Sequence, residues 1–172
     1  VCGVAFIVAF FVGGVSYFRT TQLTLNASVK TLAGETQLLT MQFKDAYEAM
    51  EKDVLMVSYT PAVRGILRSY QNKGIDPLDG SNTEMWKARL ETIFYSVMET
   101  RPYYNKIRFI GIAENGKEIV RVNRTGKKLE TVADDKLQEK GDEFYFKEAL
   151  KLNSDNVYFT GVTYNREHGK VD

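Results

Sequence analysis

The side chains best suited to chemistry lie in the second half of the chain. Arg121 sits on the run Glu118-Ile-Val-Arg-Val-Asn123, where strand alternation points it to the face opposite Val120 and Val122. An arginine on a partly covered sheet face can hold a carboxylate ligand by a two-pronged pair of hydrogen bonds. Its plainer role is a cross-strand ion pair, with Glu114 or Glu118 as partner. Tyr145, Phe146 and Tyr158 are candidates to line a pocket, and they serve equally well as core residues, the usual place of closely spaced aromatics. Asn165, in a turn near the C-terminal end, completes the candidate ligand-binding set.

Catalytic signatures are missing from this stretch. There is no Gly-x-Ser-x-Gly, no phosphate-binding Gly-Lys-Ser/Thr loop, no dinucleotide fingerprint and no His-Glu-x-x-His. One histidine, His168, and one cysteine, Cys2, cannot build a zinc site or a Cys/His pair. His168 beside Gly169 reads as a turn residue. Asp134, Asp135 and Glu139 fall in a lysine-rich polar segment and read as a solvated face. No catalytic residue, metal ligand or cofactor is assigned. With 23 Lys and Arg against 22 Asp and Glu, the net charge is +1, so no global field draws the chain to nucleic acid.

The elements that must position these groups begin with an unbroken apolar run. Val1 to Phe18 carries no charge, and at about 1.5 Å per residue it spans roughly 27 Å, close to a bilayer's hydrocarbon core. It reads as a transmembrane helix surrounded by lipid, with Tyr17, Phe18 and Arg19 at the interface. A cleaved signal peptide is the competing reading, with Gly14-Val15-Ser16 as a weak cleavage site. Cys2 lies inside the run, so the remainder has no disulfide, which suits a bacterial periplasm and a domain large enough to fold unaided.

From Leu25 the positions Val29, Leu32, Thr36, Leu39, Phe43, Ala46, Met50, Asp53 and Val57 alternate spacings of four and three, a coiled-coil seam interrupted by Thr36 and Asp53. A helix over about 22–59 follows, a stalk whose seam serves a homodimer near the membrane. Its distal half either continues that seam or packs along its own domain. Thr60-Pro61 opens a second helix ending at Asn72-Lys73-Gly74, and Ser81-x-x-Glu84 is a capping box for a third. That helix carries the stripe Trp86, Leu90, Ile93, Phe94, Val97 and Met98, and ends at Arg101-Pro102. The period then switches to two: strands 107–113 and 117–123 flank Glu114-Asn115-Gly116, a hairpin signal. A helix within Lys140–Leu152, a strand over 157–164 and a turn leading to a further strand complete the pattern. The chain stops inside that pattern, and the expectation is a piece whose remaining strands and output domain lie beyond Asp172.

The segments RFIGIAENGKEIVRVNR, KLQEKGDEFYFKEALKL and NVYFTGVTYNREHGK resemble the extracytoplasmic PDC-type Cache sensor domains of bacterial transmembrane receptors, especially sensor histidine kinases. The resemblance runs from about Trp86 to Asp172 and is carried by Gly116, Glu118, Arg121, Leu137-Gln138-x-Lys140, Tyr145-Phe146 and Val157-Tyr158. Glu114 and Tyr164-Asn165 depart mildly from the family pattern. The resemblance implies an α+β fold: transmembrane helix 1–18, stalk helix 19–59, and an incomplete PAS-like antiparallel sheet domain over 60–172. It also implies a small-molecule pocket on the sheet face away from the long helix, with no ligand class specified, and binding felt as a shift of membrane helices. The output implied is a two-component histidine kinase; a membrane diguanylate cyclase or a methyl-accepting chemoreceptor is the alternative.

Overall fold

The structure, a computed structural model, describes residues 2–161, 166–167 and 170–171, with side chains from Gly14 to Gly161. The chain divides into two units, Val1–Met50 and Glu51–Asp172. Helix α1 runs without interruption over Cys2–Ser58. No proline occurs before Pro61 to break it. In the first unit Leu25, Val29, Leu32, Leu39 and Phe43 are all exposed, so the seam residues have no partner there among the described residues. Among the described residues no helix is long and apolar enough to cross a membrane. The side chains of 1–13, which form most of the apolar run read as a span, lie outside the described set.

The second unit begins with the last two turns of α1 and continues through α2 (Pro61–Gln71) and α3 (Thr83–Thr100). Strands β1 (Lys106–Ile110), β2 (Glu118–Thr125) and β3 (Lys128–Thr131) then form an antiparallel sheet in the order β1-β2-β3. Helix α4 (Phe144–Ala149) follows, and β4 (Arg166–Glu167) pairs antiparallel with β5 (Lys170–Val171). The fold is therefore α+β, a long N-terminal helix followed by a three-stranded antiparallel sheet.

Trp86, Leu90, Phe94 and Met98 recur every four residues, so they lie on one face of α3 and bury against Ala62, Val63 and Ile66 of α2 and Val120 and Val122 of β2. Gly65 is what lets α2 and α3 close together: a Cβ there would meet the Trp86 ring at 2.2 Å. Asp53 and Val57, at the distal end of the seam, face this domain. Val57 packs on the core, and Asp53 accepts from Arg101 Nε at 3.1 Å and Tyr104 O–H at 3.0 Å. Burial and the neighbouring Asp53 carboxylate together push the Tyr104 hydroxyl far above the usual phenol range.

Four expectations are corrected. The cap of α3 is Asn82, whose side chain accepts from Met85 N–H at 2.8 Å, rather than Ser81, which is buried. Strand β1 ends at Ile110, and its hairpin turns through Ala113–Gly116 with Glu114 and Asn115 both left-handed, at φ 50° and 53°. Strand β3 was not anticipated, because Lys127-Lys128 reads as polar loop; Gly126, at φ 62°, supplies the left-handed turn that allows it. Residues 157–161 are not strand, and 162–165 lie outside the described residues.

The loop between α2 and α3 is fastened by Asp76, which is fully buried and accepts from Arg68 Nε at 2.8 Å, Arg68 Nη2 at 2.6 Å and Leu78 N–H at 3.0 Å. The Arg68 guanidinium holds its carboxyl down at about 2. A folded-state value below the unfolded one stabilises the fold above the unfolded value and loses that contribution as pH falls toward the folded one. Wild-type stability should therefore decline between about pH 4 and pH 2. Asp76→Asn should lower the urea midpoint at neutral pH and flatten that decline; an unchanged acid profile in denaturation curves would show that this carboxylate is not the group responsible.

Candidate functional site

The site is assembled on the hairpin. Register pairs Arg108 with Arg121 directly, and Phe109 with Val120, then skips Ile119 so that Ile110 faces Glu118. That skip is a β-bulge, and it changes which face Glu118 serves. Without the extra residue Glu118 would share the core-facing side with Val120; with it, Glu118 lies on the same face as Arg108 and Arg121. Like charges directly opposite each other destabilise a sheet. Here one carboxylate bridges them: Arg108 Nη1 donates to Glu118 Oε1 at 2.9 Å, and Arg121 Nη1 donates to Oε2 at 3.3 Å. The Glu118 side chain is entirely buried, and Oε2 also accepts the Gln138 N–H at 3.1 Å.

The segment after β3 covers this face. Glu118 N–H donates to Gln138 C=O at 2.9 Å, Lys140 N–H to Gly116 C=O at 2.8 Å, and Gly141 N–H to Asn115 C=O at 2.8 Å. Two glycines permit so close an approach: at Gly116, with φ 69°, a Cβ would lie 2.7 Å from Gly141 N and 2.9 Å from the Phe146 ring tip. Lys140, buried, donates to Gln138 Oε1 at 2.7 Å. Helix α4 then delivers Tyr145, whose hydroxyl lies 3.5 Å from Arg108 Nη1.

Of the residues picked from sequence, Arg121 and Tyr145 are brought around the same carboxylate, and Phe146 lies beside them over Gly116. Arg121 makes the ion pair with Glu118 and also donates from Nε to Asn123 Oδ1 at 3.0 Å. Tyr158 stands edge-on to Phe144, ring centres 6.3 Å apart. Asn165 and His168 lie outside the described residues. Arg108, Glu118 and Lys140 are the site residues that sequence reading did not assign. Arg108 had a signal: it alternates with Ile107 and Phe109, so it had to leave the core face. Asp134, read as solvated, instead ties its turn to α3 by accepting from the buried Lys87 Nζ at 2.7 Å. Among the described residues no group of His, Cys, Asp or Glu could hold a metal ion.

A second feature is an apolar cleft of about 350 Å³ between the end of α1, α3 and the outer edge of β1, with Val57, Phe94, Val97 and Ile107 among its walls. Among the described residues β1 pairs only with β2, so its other edge faces this cleft. A strand edge of this kind offers backbone groups to another strand more readily than it forms a polar site for a small molecule.

Removing the bridge should be costly, since stripping one partner from a buried pair typically costs about 3–5 kcal/mol. Glu118→Ala is expected to lose stability on that scale in urea unfolding; a loss under about 1 kcal/mol would mean that water already relieves the two arginines.

Comparison with known proteins follows the same lines. A comparison with curated proteins finds no match. Among solved structures, the chain is similar to the domain of a sensory box/GGDEF family protein from Vibrio parahaemolyticus, with a TM-score of 0.61 and 20% identity over 76% of this chain. The chain spans 44% of the length of that neighbour. At that identity the likeness shows the fold. The family model described as "Bacterial histidine kinase, sensor domain" matches residues 70–172, which include α3, the whole hairpin site and α4. With that match over more than half its length, the chain belongs to the family of bacterial histidine kinase sensor domains.

Proposed function

We propose that the chain is the extracytoplasmic, ligand-sensing portion of a membrane-anchored sensor histidine kinase in two-component signalling. In this reading Val1–Phe18 crosses the inner membrane, residues after about 19 lie in the periplasm, a small molecule binds the Arg108/Arg121 face of the sheet, and α1 pairs with its copy in a homodimer. The observation that carries it is the buried Glu118 bridge between two facing arginines, inside the segment that matches the sensor-domain family. The charge-free run from Val1 supports the anchor, and the exposed heptad residues of α1 support the dimer.

Binding acts on the output only through its differential affinity for two helix arrangements. A route for it is present in the second unit. β1 carries Arg108; four residues earlier Tyr104 O–H reaches Asp53 of α1 at 3.0 Å, and Arg101 Nε reaches the same carboxylate at 3.1 Å. A second reading, the sensor part of a membrane diguanylate cyclase, is favoured by the sensory box/GGDEF description of the fold neighbour.

Two measurements test this. An alkaline phosphatase fused after Asp172 should be active and sediment with membranes, whereas an inactive fusion in the cytosol would sink the topology. In the full-length receptor, Asp53→Asn should abolish the stimulus-dependent change in autophosphorylation while ligand affinity moves by less than about threefold. Equal loss of binding and response would place Asp53 in the binding face instead of the relay.

A further inference from the structure

Arg108 is bonded differently from its neighbour across the hairpin. Its Nη1 donates to Glu118 at 2.9 Å and lies 3.5 Å from the Tyr145 hydroxyl, and among the described residues no acceptor meets its Nε or Nη2. A guanidinium carries five donors in a fixed fork, so one edge of Arg108 is uncommitted. The side chain keeps 20% of its surface exposed, against 8% for Arg121. That edge is the part of the bridge a solute can reach.

The bridge also shows what chemistry the cradle accepts. A carboxylate already sits between the two arginines, held by Nη1 of each and by the Gln138 N–H. The planar fork of arginine matches a second carboxylate in the same way, through parallel N–H donors on one edge. We infer that Arg108 is the ligand-gripping residue of this face and that the ligand is a small organic carboxylate, taken by the Nε/Nη2 edge while Glu118 remains as the internal counter-ion. This rests on the proposed reading of the face as a ligand site and goes beyond it by naming the residue and the ligand class. Arg121, already donating from both Nη1 and Nε, is a positioning residue: it fixes the carboxylate that fixes Arg108.

The experiment uses the full chain and defined probes: sodium acetate, pyruvate and succinate, with phosphate, ethanolamine and sodium chloride at equal ionic strength. At least one carboxylate should raise Tm, and calorimetry should show its Kd weakened roughly 10- to 100-fold in Arg108→Met, the range for losing charged hydrogen bonds. Arg108→Lys should recover only part, since it restores the charge without the fork. Arg64→Met, on an exposed position of α2, should bind as wild type. Because Arg108→Met leaves the Arg121–Glu118 pair in place, the variant should fold; if its unfolding curve says otherwise, Arg108→Gln gives the same comparison. Stabilisation by no carboxylate, or by one that ignores Arg108, overturns the inference. Arg108-dependent binding of phosphate or ethanolamine alone overturns the ligand class yet keeps the face as a site. No binding by any probe, together with a normal stimulus response of Arg108→Met in the full-length receptor, removes both.

Discussion

Two arginines facing each other across a hairpin would push the strands apart, and the Glu118 carboxylate is the constraint that keeps them together. The carboxylate reaches that position only because β2 carries one residue more than β1 at Ile119. The bulge, the charge pair and the covering segment therefore depend on each other. Glu118 needs the Gln138 N–H to satisfy a further lone pair in a buried setting, and Gln138 is placed by a short ladder that Gly116 and Gly141 alone can accommodate. The backbone spends three consecutive left-handed residues, Glu114, Asn115 and Gly116, to make that turn. For the two that are not glycine, this is strain of about 1 kcal/mol or more each, retained because the surrounding ladder fixes it.

The same hairpin divides the domain into an apolar and a polar side. Val120 and Val122 look toward Trp86, Leu90, Phe94 and Met98, so their burial supplies the stability that the opposite face consumes in desolvating charge. Buried ion pairs contribute little net stability on their own. A domain that keeps Glu118, Arg108 and Arg121 on one face, when apolar residues would pack as well, is retaining specificity for something charged. Elsewhere the buried charges have a structural task. Asp76 fastens the α2–α3 loop through Arg68, and Lys87 holds the turn at Asp134.

Much of the framework was legible because it rests on periodicity. The four-residue stripe of α3, the Thr60-Pro61 junction and the two-residue alternation around Arg121 each follow from side-chain direction alone. The capping box failed by one position because Ser81 and Asn82 are both good caps, and only tertiary contact at Ser81 decides between them. Strand β3 was hidden because Lys127, Lys128 and Glu130 look like loop, whereas its pairing with β2 comes from the Gly126 turn. The site was half visible. Arg121 and Tyr145 were found from chemistry, but the role of Glu118 hangs on a bulge, and a one-residue register change moves a side chain to the other face without any mark in composition. Lys140 reads as a surface lysine until the ladder to Gly116 buries it.

The geometry also bears on how such a site can be heard at a distance. Packed interiors do not deform continuously, so a signal must be a choice between discrete arrangements. Moving a two-state balance from mostly one form to mostly the other takes about 5.5 kcal/mol of differential binding. Charged hydrogen bonds contribute roughly 1.5–3 kcal/mol each, so a forked pair made in one arrangement and lost in the other is of the right order. Arg108 and Tyr104 lie on the same short stretch of chain, and Tyr104 with Arg101 grips the Asp53 carboxylate near the end of α1. A shift of β1 by a fraction of an ångström would loosen those bonds before it disturbed the α3 core, because the core contacts are many and short-ranged while the clasp is a single carboxylate. The weak point between sheet and helix is thus polar and localised, which is what a two-position joint requires.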